Sequence, residues 1–201
     1  MLAAAESRCR CCERIIRAAF EKAATRPKQR VASITKSNAQ GYGMLLWDEC
    51  FARVAAEFPA ITTESLLIDR AVMEFVRRPE SFDVVVASNL FGDILTDLSA
   101  IIVGSMGLAA SGNIDPTRRH PSMFEPVHGS APDITGKGIA NPLAAILSVA
   151  MMFEHLHLDA SAVSIHQAVK NALGSNGPRT PDLGGSGTTE QVGAAVCDRL
   201  S

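Results

Sequence analysis

The sequence predicts an α/β fold, and three observations carry that prediction. Short β-branched or apolar runs occur at Arg30–Thr35, at residues 66–68 and at Val84–Val86. Each is followed by a stretch in which apolar residues recur at helical spacing, the alternation expected of parallel strands joined by helices. Chemistry-bearing residues then stand just past the strands: Lys36-Ser37-Asn38, Asp69 and Ser88-Asn89. Open α/β sheets place reactive groups at that position.

Taken in order, residues 13–24 form an amphipathic helix. Ile15, Ile16, Ala19, Phe20 and Ala23 make its apolar face, and Pro27 ends it. Arg30–Thr35 reads as a strand of mixed polarity. A second helix covers residues 47–58, with Trp47, Phe51, Val54, Ala55 and Phe58 turned inward before Pro59. Residues 66–68 are a short strand, and a helix over 70–77 leads through Pro79 to Val84–Val86. The three valines read as a strand buried on both faces.

Ser88-Asn89 can cap the apolar helix that follows, over residues 90–103. Asp93 and Asp97 stand four apart on it, so their carboxylates share one face. Leu90, Phe91, Ile94, Leu95, Leu98, Ile101 and Ile102 surround them, which predicts a helix buried on most sides. A narrow acidic stripe there suits a hard divalent cation. A solvated acidic face is the plain alternative, and these residues alone leave both open.

Beyond residue 104 the chain turns rich in Gly, Pro and Ser up to residue 138, so the internal boundary is placed between residues 1–104 and 105–201. Asn141-Pro142 opens a helix to about residue 155. Further helices follow near residues 160–173 and 188–200, with a turn-rich bridge at Pro181-Asp182-Leu183-Gly184-Gly185 between them. In the loop, His128-Gly129-Ser130 offers backbone amides and small side chains that could approach a phosphate. Asp133 could accept hydrogen bonds from a ribose diol and would repel a 2′-phosphate. An ordinary turn explains the same residues. Neither a Walker loop nor a G-x-G-x-x-G after a strand is present.

Composition bounds the partners. A net charge of −2 gives no electrostatic reason to expect nucleic acid or an anionic membrane. No apolar run reaches a membrane span, and the first residues lack the charged region and sustained apolar core of a secretory signal. A cytoplasmic protein is expected. Of the 5 cysteines, Cys9, Cys11 and Cys12 crowd together without a second cluster, so reduced thiols with no assigned role are expected. His120, His155, His157 and His166 show no ligand spacing.

Thr35-Lys36-Ser37-Asn38, Trp47-Asp48-Glu49, the run from Ser88 to Asp97 and the run from Glu125 to Pro142 together resemble the isocitrate/isopropylmalate dehydrogenase family. These are metal-dependent, decarboxylating 2-hydroxyacid dehydrogenases. The stretch from Ala110 to Pro116, followed by Pro121-Ser122-Met123-Phe124, is most similar to the tartrate dehydrogenase/D-malate dehydrogenase branch. The resemblance runs from about residue 13 onward and implies an isopropylmalate-dehydrogenase-like fold.

By position, the resemblance implies that Asp93 and Asp97 hold Mg²⁺ or Mn²⁺, with Asp69 completing the set from a second subunit. Lys36, also contributed across a dimer, would help remove the hydroxyl proton of a small 2-hydroxy dicarboxylate. A lysine does that at neutral pH only if its charged form is disfavoured, which an adjacent cation supplies. A surface lysine ending a strand is the plain reading of Lys36. Glu125, His128, Gly129, Ser130, Ala131, Asp133, Ile134 and Asn141 correspond to the cofactor loop, and Asp133-Ile134 fits NAD.

The chain departs from the pattern at its start. It begins inside the inserted metal-binding, dimer-forming domain, so the arginines that grip the substrate and a catalytic tyrosine are expected to fall outside it. Tyr42 is not in that tyrosine's motif, and the pair Arg118-Arg119 lies in a loop outside the expected substrate domain. The expected function is tartrate/D-malate-type oxidative decarboxylation, impaired in this chain alone. A 3-isopropylmalate dehydrogenase, a non-catalytic subunit pairing with a full-length relative, and an inactive fragment are the alternatives.

Overall fold

In a computed structural model, residues 2–174 and 176–200 are described, with side chains from residue 10 onward. The chain divides into two compact units, residues 1–99 and 100–201. In the first, α1 (Leu2–Ala24), β1 (Arg30–Thr35), α2 (Gly43–Ala55), β2 (Thr62–Leu67), α3 (Ile68–Arg77) and β3 (Val84–Val86) alternate, and α4 (Asn89–Ile102) follows. The three strands form a parallel sheet in the order β2-β1-β3.

That order explains where burial departs from expectation. β1 is the central strand, and every residue from Val31 to Thr35 is buried despite its mixed polarity. A buried hydroxyl needs a partner. Ser33 finds one in the Trp47 indole, whose Nε1 donates to Ser33 Oγ at 2.8 Å. β3 is instead an edge strand, so only Val86 of the three valines is fully buried. Ile68, expected in a strand, opens α3.

The core between these elements is built by Ile16, Phe20, Val31, Ile34, Trp47, Phe51, Val54, Leu66, Val86, Phe91 and Leu95. Phe20 is completely buried, its ring 5.5 Å from that of Phe51 and 5.1 Å from that of Phe58. α4 corrects the sequence expectation most. Phe91 and Leu95 face the core, but Leu90, Ile94 and Ile101 are 61%, 50% and 63% exposed. It is an amphipathic helix with a second apolar face turned to solvent, not a helix buried on most sides.

In the second unit, β4 (Ala110–Asn113) and β5 (Met123–Pro126) form an antiparallel pair, followed by α5 (Leu143–His155), α6 (Asp159–Gly174) and α7 (Thr189–Cys197). Leu143, Ala150, Ile165, Ala168, Val169, Val192 and Val196 form its core. α7 starts with a capping box: Thr188 Oγ1 accepts from Gln191 N, and Gln191 Oε1 accepts from Thr188 N.

Between β4 and β5, the Asp115 carboxylate gathers the hydroxyl and backbone N–H of Thr117 and the backbone N–H groups of Arg119 and His120. The Thr117 hydroxyl leads in lowering its pKa from 3.8 to about 2. A depressed carboxyl adds stability above its unfolded pKa and loses it as pH falls through the folded one. An Asp115→Asn variant should therefore lose loop order at neutral pH, whereas the native loop should loosen only as pH drops from about 4 toward 2. Backbone amide shifts of residues 115–120, followed by NMR through an acid titration, check this.

No described helix is long and apolar enough to cross a membrane. The Cys9 side chain lies outside the described ones, while Cys11 and Cys197 are exposed free thiols.

Candidate active site

Parallel strands leave their sheet at one edge, and β1 and β2 end in register, with Thr35 opposite Leu67. The next residues therefore emerge side by side. Lys36 opens a turn in which its carbonyl accepts from Ala39 N at 2.9 Å and Gln40 N at 2.8 Å. Asp69 sits in the first turn of α3, where a helix N-terminus favours an anion. Their side chains meet in an ion pair, Lys36 Nζ donating to Asp69 Oδ1. That hydrogen bond, more than any other cause, lowers the Asp69 pKa.

β3 flanks β1 on the other side, with Ser33 opposite Val86, and feeds α4. Gly92 N donates to Ser88 O at 2.8 Å in the first turn. Asp93 and Asp97 are both exposed on this helix, and Asn89 Nδ2 lies 3.4 Å from Asp93 Oδ2. Hard carboxylate oxygens one turn apart suit a divalent cation. Among the described residues, no three His, Cys, Asp or Glu side chains of the chain gather at metal-binding range. Asp93 and Asp97 could hold a cation only as a pair, and Lys36 with Asp69 forms a separate ion pair.

The loop residues gather around a cavity of about 420 Å³ within the second unit. His128, Gly129, Ser130, Ala131, Ile134 and Asn141 line it, whereas Glu125 on β5 and Asp133 are exposed and do not. Ala131 turns the chain with φ +41°, a left-handed conformation unusual for a residue with a Cβ. The single 3-10 turn Pro132–Ile134 follows and carries Ile134 to the wall while Asp133 stays outside. Gly136 and Gly138, at φ +76° and +65°, make the next turns. Thr189 N donates to Gly138 O at 2.8 Å, pinning this segment to the start of α7.

The cavity is apolar on most of its wall, with few polar groups, as nucleotide-sized ligand sites commonly are. Two residues that the sequence reading passed over also line it, Ser105 and Asp182. Asp182 lay hidden in the Pro181–Leu183 turn, and Ser105 in a loop 77 positions away. Nothing local announces such a pairing.

The isocitrate/isopropylmalate dehydrogenase family profile matches residues 5–196. The chain belongs to that family. It is 48% identical over 188 residues to a probable tartrate dehydrogenase/decarboxylase of Agrobacterium vitis, a match covering 94% of this chain and 52% of that protein. It is 49% identical to a 3-isopropylmalate dehydrogenase of Streptomyces griseus, covering 94% and 53%. The crystal structure of isocitrate dehydrogenase from Methylococcus capsulatus superposes with a TM-score of 0.89 at 40% identity, covering 94% of this chain and 56% of that one. The chain spans about half the length of these relatives. Membership in the isocitrate/isopropylmalate dehydrogenase family makes it a decarboxylating-dehydrogenase homologue with the predicted α/β fold.

Proposed function

We propose that the chain carries part of an NAD- and divalent-metal-dependent oxidative decarboxylase acting on a small 2-hydroxy dicarboxylate of the tartrate/D-malate type. The observation that carries this is the gathering of His128, Gly129, Ser130, Ala131, Ile134 and Asn141 around one cavity. Residues 1–104 are assigned to a metal-binding, dimer-forming part and residues 105–201 to part of an NAD-binding domain. We place the protein in the cytoplasm, without nucleic-acid or membrane partners.

In this reading Asp93 and Asp97 hold Mg²⁺ or Mn²⁺ together with Asp69 of a second chain. The bound cation would supply Lewis acidity toward the substrate's hydroxyl and the enolate left by loss of carbon dioxide. Lys36 stands beside Asp69, so a partner that lends one lends both. Lys36 would take the proton of the substrate's hydroxyl, and a bound nicotinamide would supply the hydride acceptor. The exposed apolar residues Leu90, Ile94 and Ile101 beside the two carboxylates support a homodimer, or pairing with a full-length relative, through α4. Asp133 is placed at the rim, where its charge disfavours a 2′-phosphate and so favours NAD over NADP.

The Streptomyces griseus relative supports a second reading, oxidation of 3-isopropylmalate. A non-catalytic subunit or an inactive fragment is the third reading. Turnover by this chain alone is expected to be weak. The test is NADH formation from D-malate, tartrate and 3-isopropylmalate with Mn²⁺, alongside direct measurement of NAD and NADP binding. Oxidation of D-malate or tartrate with NAD supports the reading, and preference for 3-isopropylmalate selects the second. NAD binding without turnover selects the subunit or fragment. Failure to bind NAD sinks the cofactor assignment.

A further inference from the structure

Three separate segments meet at one carboxylate oxygen on the wall of the cavity. Asp182 Oδ2 accepts from the Ser105 hydroxyl and, at 2.9 Å, from Asn141 Nδ2. Ser105 Oγ in turn accepts from Gly107 N at 2.9 Å, fixing the turn Met106–Leu108. Asn141 Oδ1 accepts from Leu143 N at 3.0 Å at the start of α5. Because that oxygen is committed to the backbone, the amide has one orientation, with its nitrogen toward Asp182.

The packing leaves no slack. A Cβ on Gly107 would stand 2.6 Å from Asn141 Cβ and 2.8 Å from Asp182 Oδ2, nearer than real Cβ atoms approach. Only a glycine lets the segments close on one another. Ser105, Gly107, Asn141 and Asp182 all line the cavity, so the knot sets the wall itself. Loss of water alone would raise the Asp182 pKa, but the Ser105 hydroxyl, together with Thr180 and the Asn141 amide, outweighs it and lowers it. The acceptor stays ionised at neutral pH.

We propose that Asp182 is a positioning residue for the cofactor cavity, acting through Ser105 and Asn141 to hold the three wall segments in register. This rests on the cofactor reading of that cavity. Hydrogen bonds to an ionised group are the strong ones, and a shared acceptor makes the three segments move as a unit. In an Asp182→Asn variant the carboxamide either keeps an oxygen at the Oδ2 position, where it serves both donors without charge, or turns its NH2 there, where it faces two donors with none to accept.

The experiment is calorimetric titration of the 201-residue chain with NAD, for the native sequence and for Asp182→Asn and Ser105→Ala. Thermal midpoints and the Asn141 side-chain amide resonances are recorded alongside. Expected are a loss of about tenfold or more in affinity for Asp182→Asn, the scale of one charged hydrogen bond, and a smaller loss for Ser105→Ala. The Asn141 resonances should shift in both variants, including under conditions where each remains fully folded. Native affinity in both variants overturns the proposal, as does weakened binding with unmoved Asn141 resonances. If Asp182→Asn does not fold, Ser105→Ala decides by the same criteria. A folded native chain that takes up no NAD overturns the cofactor reading and this inference with it.

Discussion

Asp93→Asn should weaken Mn²⁺ binding by at least about a hundredfold. Changes in the outer shell of a metal site already cost up to about a hundredfold, and this one removes a charged ligand itself. Asp97→Asn should do the same, since both carboxylates are exposed on one face of α4 and, among the described residues, no third potential ligand joins them. Asp69→Asn should match them if its carboxylate is lent across a dimer. A mixing experiment separates the two arrangements. In a mixed dimer of Asp69→Asn and Asp93→Asn chains, one site has all its carboxylates and the other lacks two. After statistical exchange about a quarter of the native sites should return, as twofold symmetry requires. Electron paramagnetic resonance of bound Mn²⁺ counts them. No recovery on mixing would mean that Asp69 does not complete the site from a second chain.

The largest expected loss of stability lies elsewhere, at Phe20. Its ring is fully buried between those of Phe51 and Phe58, so Phe20→Ala leaves a void enclosed by aromatic side chains. Such truncations cost about 3–5 kcal/mol. That is much of the 5–15 kcal/mol, roughly, by which domains are stable. The unfolding midpoint of the first unit should fall by more than about 10 °C. Ile15, next to the buried Ile16 on the same helix, is 51% exposed, and Ile15→Ala should change stability by under about 0.5 kcal/mol. Thermal unfolding followed by circular dichroism compares the two. Similar midpoints would mean that Phe20 does not anchor α1 to α2.

Sequence periodicity carried the elements well because it reports which face of a helix or strand prefers to leave water. Arg30–Thr35 and Val84–Val86 were found at their structural bounds for that reason. Periodicity does not report neighbours. Nothing in Arg30–Thr35 says that it lies between two strands, so the burial of Ser33 and Thr35 emerges only with the sheet order. Likewise Leu90, Ile94 and Ile101 look like core residues by type, yet the folded chain provides nothing to cover them. In the cavity, His128-Gly129-Ser130 was legible as a contiguous motif. Asp182 was not, because its partners Ser105 and Asn141 are 77 and 41 positions away.

The outward face of α4 places greasy and charged groups side by side, and in the proposed dimer this would tie metal uptake to assembly through thermodynamic linkage. When a second chain covers Leu90, Ile94 and Ile101, water also leaves the neighbourhood of Asp93 and Asp97. The repulsion between two anions grows as the surrounding dielectric falls, so metal-free association works against itself. A cation that neutralises the pair removes the penalty, and by reciprocity whatever it adds to association, association adds to its own affinity. Dilution should then strip metal from the protein, and chelation should loosen the dimer. Asp93→Asn, which spoils the cation site, should nonetheless associate more tightly than the native chain when no metal is present.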